Sequence, residues 1–267
     1  MKVQSYIYIL VFISSFMYSC SEYQKVLKSS DINYKYDKAV QYYEKQDYNR
    51  AMPLFKELST MLRGTKKSEK VNYFLAYCHY NTGDFLTSSY LFRSFVKTYP
   101  NSTYAEESMY MGAYCMFLES PIYSLDDTYT KKAILELKNF INKYPNTLRS
   151  NKCNELILEL NDKLALKSFE KAKQYYITEN YKAAIVDLNN VLIEFPSSKH
   201  REEIHFLILK SSYDLAINSI STKKEERLNK AVDAFLVFSD NYPNSKYIQE
   251  AKKIKELAVE SLTKLNL

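Results

Sequence analysis

Glycine is scarce in this sequence and tryptophan is missing: 267 residues hold three glycines, six prolines and no tryptophan. Tight hairpin turns and phosphate-cradling loops both rely on glycine's tolerance of positive φ, so a hairpin-rich sheet and a glycine-rich nucleotide loop are excluded as organising features. A dominant charge is lacking too. Thirty-seven Lys and Arg against 31 Asp and Glu give +6, and residues 1–19 carry only Lys2. The cations alternate with acids along helical stretches, as in Lys66-Lys67-Ser68-Glu69-Lys70. That is a solvated, ion-paired surface and not the one-sided basic face of a nucleic-acid binder.

Catalytic groupings are also wanting. There is no Gly-x-Ser-x-Gly elbow, no His-Glu-x-x-His and no paired Cys-x-x-Cys, so the reading is a noncatalytic protein without metal or cofactor. Of three histidines, His200 and His205 stand five apart, on different sides of a helix, which is poor ligand spacing. After Cys20 three cysteines remain, Cys78, Cys115 and Cys153; an odd number argues against a disulfide framework. Cys78 and Cys115 share a context, Ala76-Tyr77-Cys78 and Ala113-Tyr114-Cys115, that suits small buried thiols.

What is present is hydrophobic and helical. Apolar residues make up 46% of the chain, enough for a sizeable core. The first twenty residues have the order of a secretory leader: Lys2, an apolar run from Ile7 to Phe16, then Met17-Tyr18-Ser19-Cys20. A small residue directly before a Cys resembles the lipobox of bacterial lipoproteins, in which that Cys becomes the lipidated N-terminus. Tyr18 and Met17 depart from the usual small residue and Leu. The residues therefore fit either lipidation at Cys20 or an ordinary leader with a coincidental Cys.

Repeats organise the rest. Four helix stops share one signature: Tyr99-Pro100-Asn101-Ser102, Tyr144-Pro145-Asn146-Thr147, Phe195-Pro196-Ser197-Ser198 and Tyr242-Pro243-Asn244-Ser245. Proline lacks the N–H that would continue a helix, and the Ser, Thr or Asn behind it can cap the next one. A second element reads Asp47-Tyr48-Asn49-Arg50-Ala51, Asp84-Phe85-Leu86-Thr87-Ser88 and Asn180-Tyr181-Lys182-Ala183-Ala184. With Ala39, Ala76, Ala113 and Ala172 upstream, this resembles the tetratricopeptide pattern, in which small residues let two helices cross closely. The expected fold is all-α: a tetratricopeptide-repeat superhelical solenoid of about five helix pairs with a C-terminal capping helix.

The expected segments are a leader over 1–19, a lipidated Cys and tether over 20–32, and repeats one and two over 33–101. Repeat three follows over 102–147. Ala113 to Pro145 is 32 residues against 24 from Ala76 to Pro100, so a loop is inserted at 120–127. A long helix and repeat four occupy 148–197, with Leu156, Leu160 and Leu164 at spacing four. Repeat five and the cap occupy 198–267.

In tetratricopeptide arrays the first helix of each pair lines the concave face. Three residues before the crossing alanine stand Tyr36, Tyr73, Tyr110 and Phe169; four after it stand Tyr43, Tyr80, Phe117 and Tyr176. Seven residues is about two turns, so each pair shares a stripe. Stacked repeats would align Tyr36, Tyr43, Tyr73, Tyr80, Tyr110 and Phe117 into an aromatic ladder for an extended peptide. The same rings could instead pack between repeats.

Taken together, the lipobox Cys, the tether, five helix pairs, the Ser120 to Thr130 insert in the third and the lengthened helix before the fourth resemble the BamD family, outer-membrane lipoproteins of the β-barrel assembly machinery. The resemblance implies a lipid-anchored scaffold on the periplasmic face of the outer membrane. It implies as partners a BamA-like barrel protein with POTRA domains, other subunits of the complex and unfolded barrel proteins, with no nucleic acid. The alternatives are another periplasmic tetratricopeptide adaptor or a helical-repeat glycan-uptake lipoprotein, although the latter class is rich in Trp and Gly.

Overall fold

The structure is a computed structural model that describes residues 22–265. The leader over 1–19 and the lipid site at Cys20 lie outside the described residues. Eleven helices follow one another: α1 (Ile32–Glu44), α2 (Tyr48–Met61), α3 (Lys66–Asn81), α4 (Phe85–Thr98), α5 (Ala105–Leu118), α6 (Thr128–Lys143), α7 (Leu148–Ile177), α8 (Tyr181–Glu194), α9 (Arg201–Ile217), α10 (Ser221–Asn241) and α11 (Ile248–Leu265). A short helix over 22–28 precedes them, and the described residues contain no strand. The chain divides into two compact units. The first runs to residue 120 and takes in 128–154; the second holds 121–127 and everything from 155.

In the first unit each helix from α1 to α5 packs on its successor. The small residues sit where the helices cross: Ala39, Ala51, Ala76 and Ser88 are 0% exposed. Ser88 uses its small size twice, donating its hydroxyl to the Ala76 carbonyl at 3.0 Å and receiving the Cys115 thiol at 3.4 Å. Ser89 likewise donates to the Gly112 carbonyl at 2.7 Å. A Cβ on Gly112 would lie 3.3 Å from the Arg93 Cγ, so the glycine sets how closely α5 approaches α4. The second unit repeats the logic, with Ala172 and Ala184 fully buried beside Phe169, Leu188 and Ile204. There α8 packs on α9, α9 on α10 and α10 on α11, which also reaches back to α9.

The turn inside three of the pairs is one device. The amides of Asp47, Asp84 and Asn180 reach back five residues, to the carbonyls of Tyr42, His79 and Tyr175 at 2.9, 3.0 and 2.8 Å. The residue before each has positive φ: Gln46 at 59°, Gly83 at 81° and Glu179 at 60°. This is the Schellman close, which satisfies carbonyls at a helix end by a left-handed residue. Asp47 and Asp84 then accept the amides of Arg50 and Thr87, opening α2 and α4.

The stops between pairs also recur, with a difference from expectation. The amides of Ser102, Ser198 and Ser245 bond the carbonyls of Tyr99, Phe195 and Tyr242, each at 3.1 Å. Their hydroxyls accept from Tyr104, His200 and Tyr247 at 3.0, 3.2 and 3.0 Å. These serines thus close a turn one step ahead of the helix instead of capping its first-turn amides.

A second difference concerns residues read as tether. Residues 22–28 form a helix whose Val26 is 0% exposed and belongs to the core of the first pair. Lys35 explains the docking. Its ammonium is buried yet satisfied, donating to the Leu27 carbonyl at 3.0 Å and to Glu57 Oε1 at 2.7 Å. A carbonyl at a helix C-terminus carries partial negative charge, which suits a cation there.

Candidate functional site

The first helices α1, α3 and α5 carry the aromatic residues expected of a ladder, and the structure sorts them by packing. Tyr36 is half-buried, with the Lys67 ammonium 4.7 Å from its ring centroid. Tyr43 stacks on Phe74 of the next first helix at 4.4 Å and 28°, and meets Tyr48 edge-on at 5.6 Å. Tyr73 is 9% exposed, stacked on Tyr104 at 4.3 Å and ringed by Tyr77, Phe92 and Phe95. Both of these rings therefore serve contact between helices. Tyr80, Tyr110 and Phe117 are half-buried, as Tyr36 and Tyr43 are, and Tyr110 meets Phe140 of α6 edge-on at 5.8 Å.

Two tyrosines outside the expected register join them. On α5, Tyr114 lies between Tyr110 and Phe117, 5.8 Å from each and within 9° and 12° of parallel. Spacings of four and three residues place the three rings on one stripe. Across to α3, Tyr114 approaches Tyr80 at 6.5 Å, and Tyr80 approaches Tyr77 at 6.2 Å. Tyr77 and Tyr114 each follow the crossing alanine directly, and that shared Ala-Tyr-Cys context was the signal available for them.

Polar groups strap the same helices together. Tyr77 donates to Glu107 of α5. Arg149, at the start of α7, spans Glu106 and Glu107, each at 3.3 Å, and lies 5.9 Å from the Tyr110 ring. Burial pushes the Tyr73 hydroxyl up to about 12, and burial followed by the Glu107 bond raises Tyr77. These phenols are neutral donors across the physiological range. Burial also raises the thiols, Cys78 to about 12 and Cys115 and Cys153 to about 11, so all three are protonated.

The second unit uses pairs of the same kind. Tyr176 donates to Asp214 at 3.0 Å, Lys173 meets Glu203 at 3.1 Å and Lys210 meets Glu250 at 2.9 Å. Phe169, the other ring read into the ladder, is 1% exposed and stacks on His200 at 5.5 Å. Among the described residues no cluster of His, Cys, Asp and Glu is arranged to hold a metal ion. No described helix is long and apolar enough to cross a membrane.

Antiparallel helix pairs with small residues at each crossing, Schellman turns within pairs and proline stops between them define a tetratricopeptide-like helical-repeat protein. Within that class, the chain belongs to the YfiO family of outer membrane lipoproteins, whose profile matches residues 29–224 and 168–267. It is similar to the outer membrane protein assembly factor BamD of Caulobacter vibrioides, 22% identical over 211 residues, which is 79% of this chain and 66% of that protein. It is also similar to a putative outer membrane protein assembly factor BamD of Aquifex aeolicus, 28% identical over 178 residues, or 66% of this chain and 58% of that one. The matches thus span less than two thirds of these relatives' own lengths.

Proposed function

We propose that the chain is a noncatalytic scaffold of outer-membrane β-barrel assembly, anchored by acyl chains on Cys20 and facing the periplasm. It docks to a BamA-like barrel protein through that partner's POTRA domains and holds unfolded barrel segments along its first-helix face. The single observation that carries this reading is the family match over nearly the whole folded chain, joined to relatives named as assembly factors.

In this reading the peptide meets Tyr36, Tyr80, Tyr110 and Phe117, with Tyr114 added, while Tyr43, stacked on Phe74, and the buried Tyr73 lie in the helix contacts behind them. Half-buried rings offer contact area at little side-chain entropy, and adjacent phenols can bond a strand's backbone groups. A C-terminal tag on the chain, solubilised from membranes in detergent, tests the assembly. Recovery of a POTRA-bearing barrel protein supports it. Recovery of sugar transporters alone favours a glycan-uptake role, and recovery of other envelope proteins alone favours a different adaptor. Replacing Tyr80, Tyr110 and Phe117 together by Ser is expected to cut photocrosslinking to a barrel-protein C-terminal peptide at least about tenfold, with helical content unchanged. Undiminished crosslinking would remove the face as a site.

A further inference from the structure

The docked helix over 22–28 says where the anchor leaves the fold. Its Glu22 meets the Lys38 ammonium, midway along α1, at 2.7 Å. Lys45 and Lys25 both act on the Glu22 carboxylate. Tyr23 meets Tyr42 edge-on at 5.7 Å and donates to the Arg50 carbonyl at 3.3 Å. The Arg50 guanidinium lies 5.7 and 5.9 Å from the Tyr23 and Tyr42 rings. The start of the short helix therefore sits beside the α1–α2 turn at 45–47. Its other end is clamped by Lys35.

Chain length then leaves little slack. Cys20 precedes Glu22 by two residues, at most about 7 Å of extended chain. Val26, fixed in the core, lies four residues further, about 6 Å along a helix. An acyl group on Cys20 is thus tied within about 7 Å of Glu22.

We propose that the first repeat is held directly against the phospholipid surface, with helix 22–28 as a splint and the α1–α2 turn facing the headgroups. This rests on acylation of Cys20. The turn suits that partner: Lys38 is paired with Glu22 and Arg50 with Asp47, which leaves Lys25 and Lys45 against Glu44 to face the headgroups. Tyr23 and Tyr42 are half-buried rings with polar tips, the kind that settle at a membrane interface.

The test uses the full acylated chain in vesicles of phosphatidylethanolamine and phosphatidylglycerol carrying a headgroup acceptor dye. A fluorophore is placed on Gln46→Cys at the turn or on Arg63→Cys beyond the far end of α2, about 20 Å away along 14 residues of helix. The buried thiols Cys78, Cys115 and Cys153 stay unlabelled. Strong quenching at 46 and weak quenching at 63 is expected. A Gly-Ser spacer of about six residues between Ser21 and Glu22 should abolish the contrast without touching the core. Lys25→Glu with Lys45→Glu should weaken quenching at 46 while the chain still floats with the vesicles. Equal quenching at both labels in the parent chain would overturn the docking alone. A chain that fails to float would overturn the anchor first.

Discussion

Gln46 and Glu179 stand where Gly83 stands, at the left-handed residue that closes the first helix of a pair. A Cβ in that conformation costs about 1 kcal/mol, part of which a glycine returns through its freer unfolded chain. Glu179→Gly is expected to raise stability by about 0.5–1 kcal/mol, read as a higher urea midpoint for the second unit. An unchanged or lower midpoint would mean that the Glu179 side chain offsets its backbone strain. The aromatic residues show the limit of reasoning at this scale. Periodicity placed Tyr43 and Tyr80 on one face of their helices. It could not tell that Tyr43 would stack on Phe74 while Tyr80 meets Tyr114, because a ring's neighbours come from other helices.

Between elements, the spacing of two helices is set by what stands at their crossing. Ala51 is fully buried among Leu54, Phe55 and Leu58, whereas Asn49 on the same helix is exposed. Ala51→Leu adds volume where interiors have none to spare. It is expected to cost about 1–3 kcal/mol in denaturant unfolding of the first unit, while Asn49→Leu costs less than about 0.5 kcal/mol. Equal effects would show that the pair spreads freely. The long α7 was legible in outline, since Leu156 and Leu160 repeat at helical spacing and are buried. The helix over 22–28 was not: its one core residue, Val26, gives no periodicity, and its partner Lys35 looks like any surface lysine until Glu57 and the Leu27 carbonyl are brought to it.

Over the whole molecule, the first unit concentrates groups whose protons are held by burial. Cys78, Cys115 and Cys153 ordinarily titrate near 9 and Tyr73 near 10, and burial raises all four. The unfolded chain therefore binds fewer protons than the folded one once pH passes about 9, and stability falls as pH rises through that range. Their contribution is fully present below pH 9 and is lost progressively toward 12. Urea midpoints for the first unit are expected to be flat from pH 7 to 8.5 and to fall between pH 9 and 11. The second unit, which holds none of these thiols, should fall less. Parallel decline in both units would assign the loss to general charge repulsion.

The sequence by itself determined the class of fold and the family, because both are written in local terms: proline stops, small residues at fixed offsets and helical periodicity survive in one dimension. Tertiary structure alone decided which aromatic rings meet across helices, and that residues 22–28 dock instead of hanging free. Each of those depends on partners some 20 to 40 residues away, as with Lys35 and Glu57 or Tyr80 and Tyr114. Such distances are closed only when helices pack, and burial there decides whether a ring, an ammonium or a thiol faces a neighbour or water.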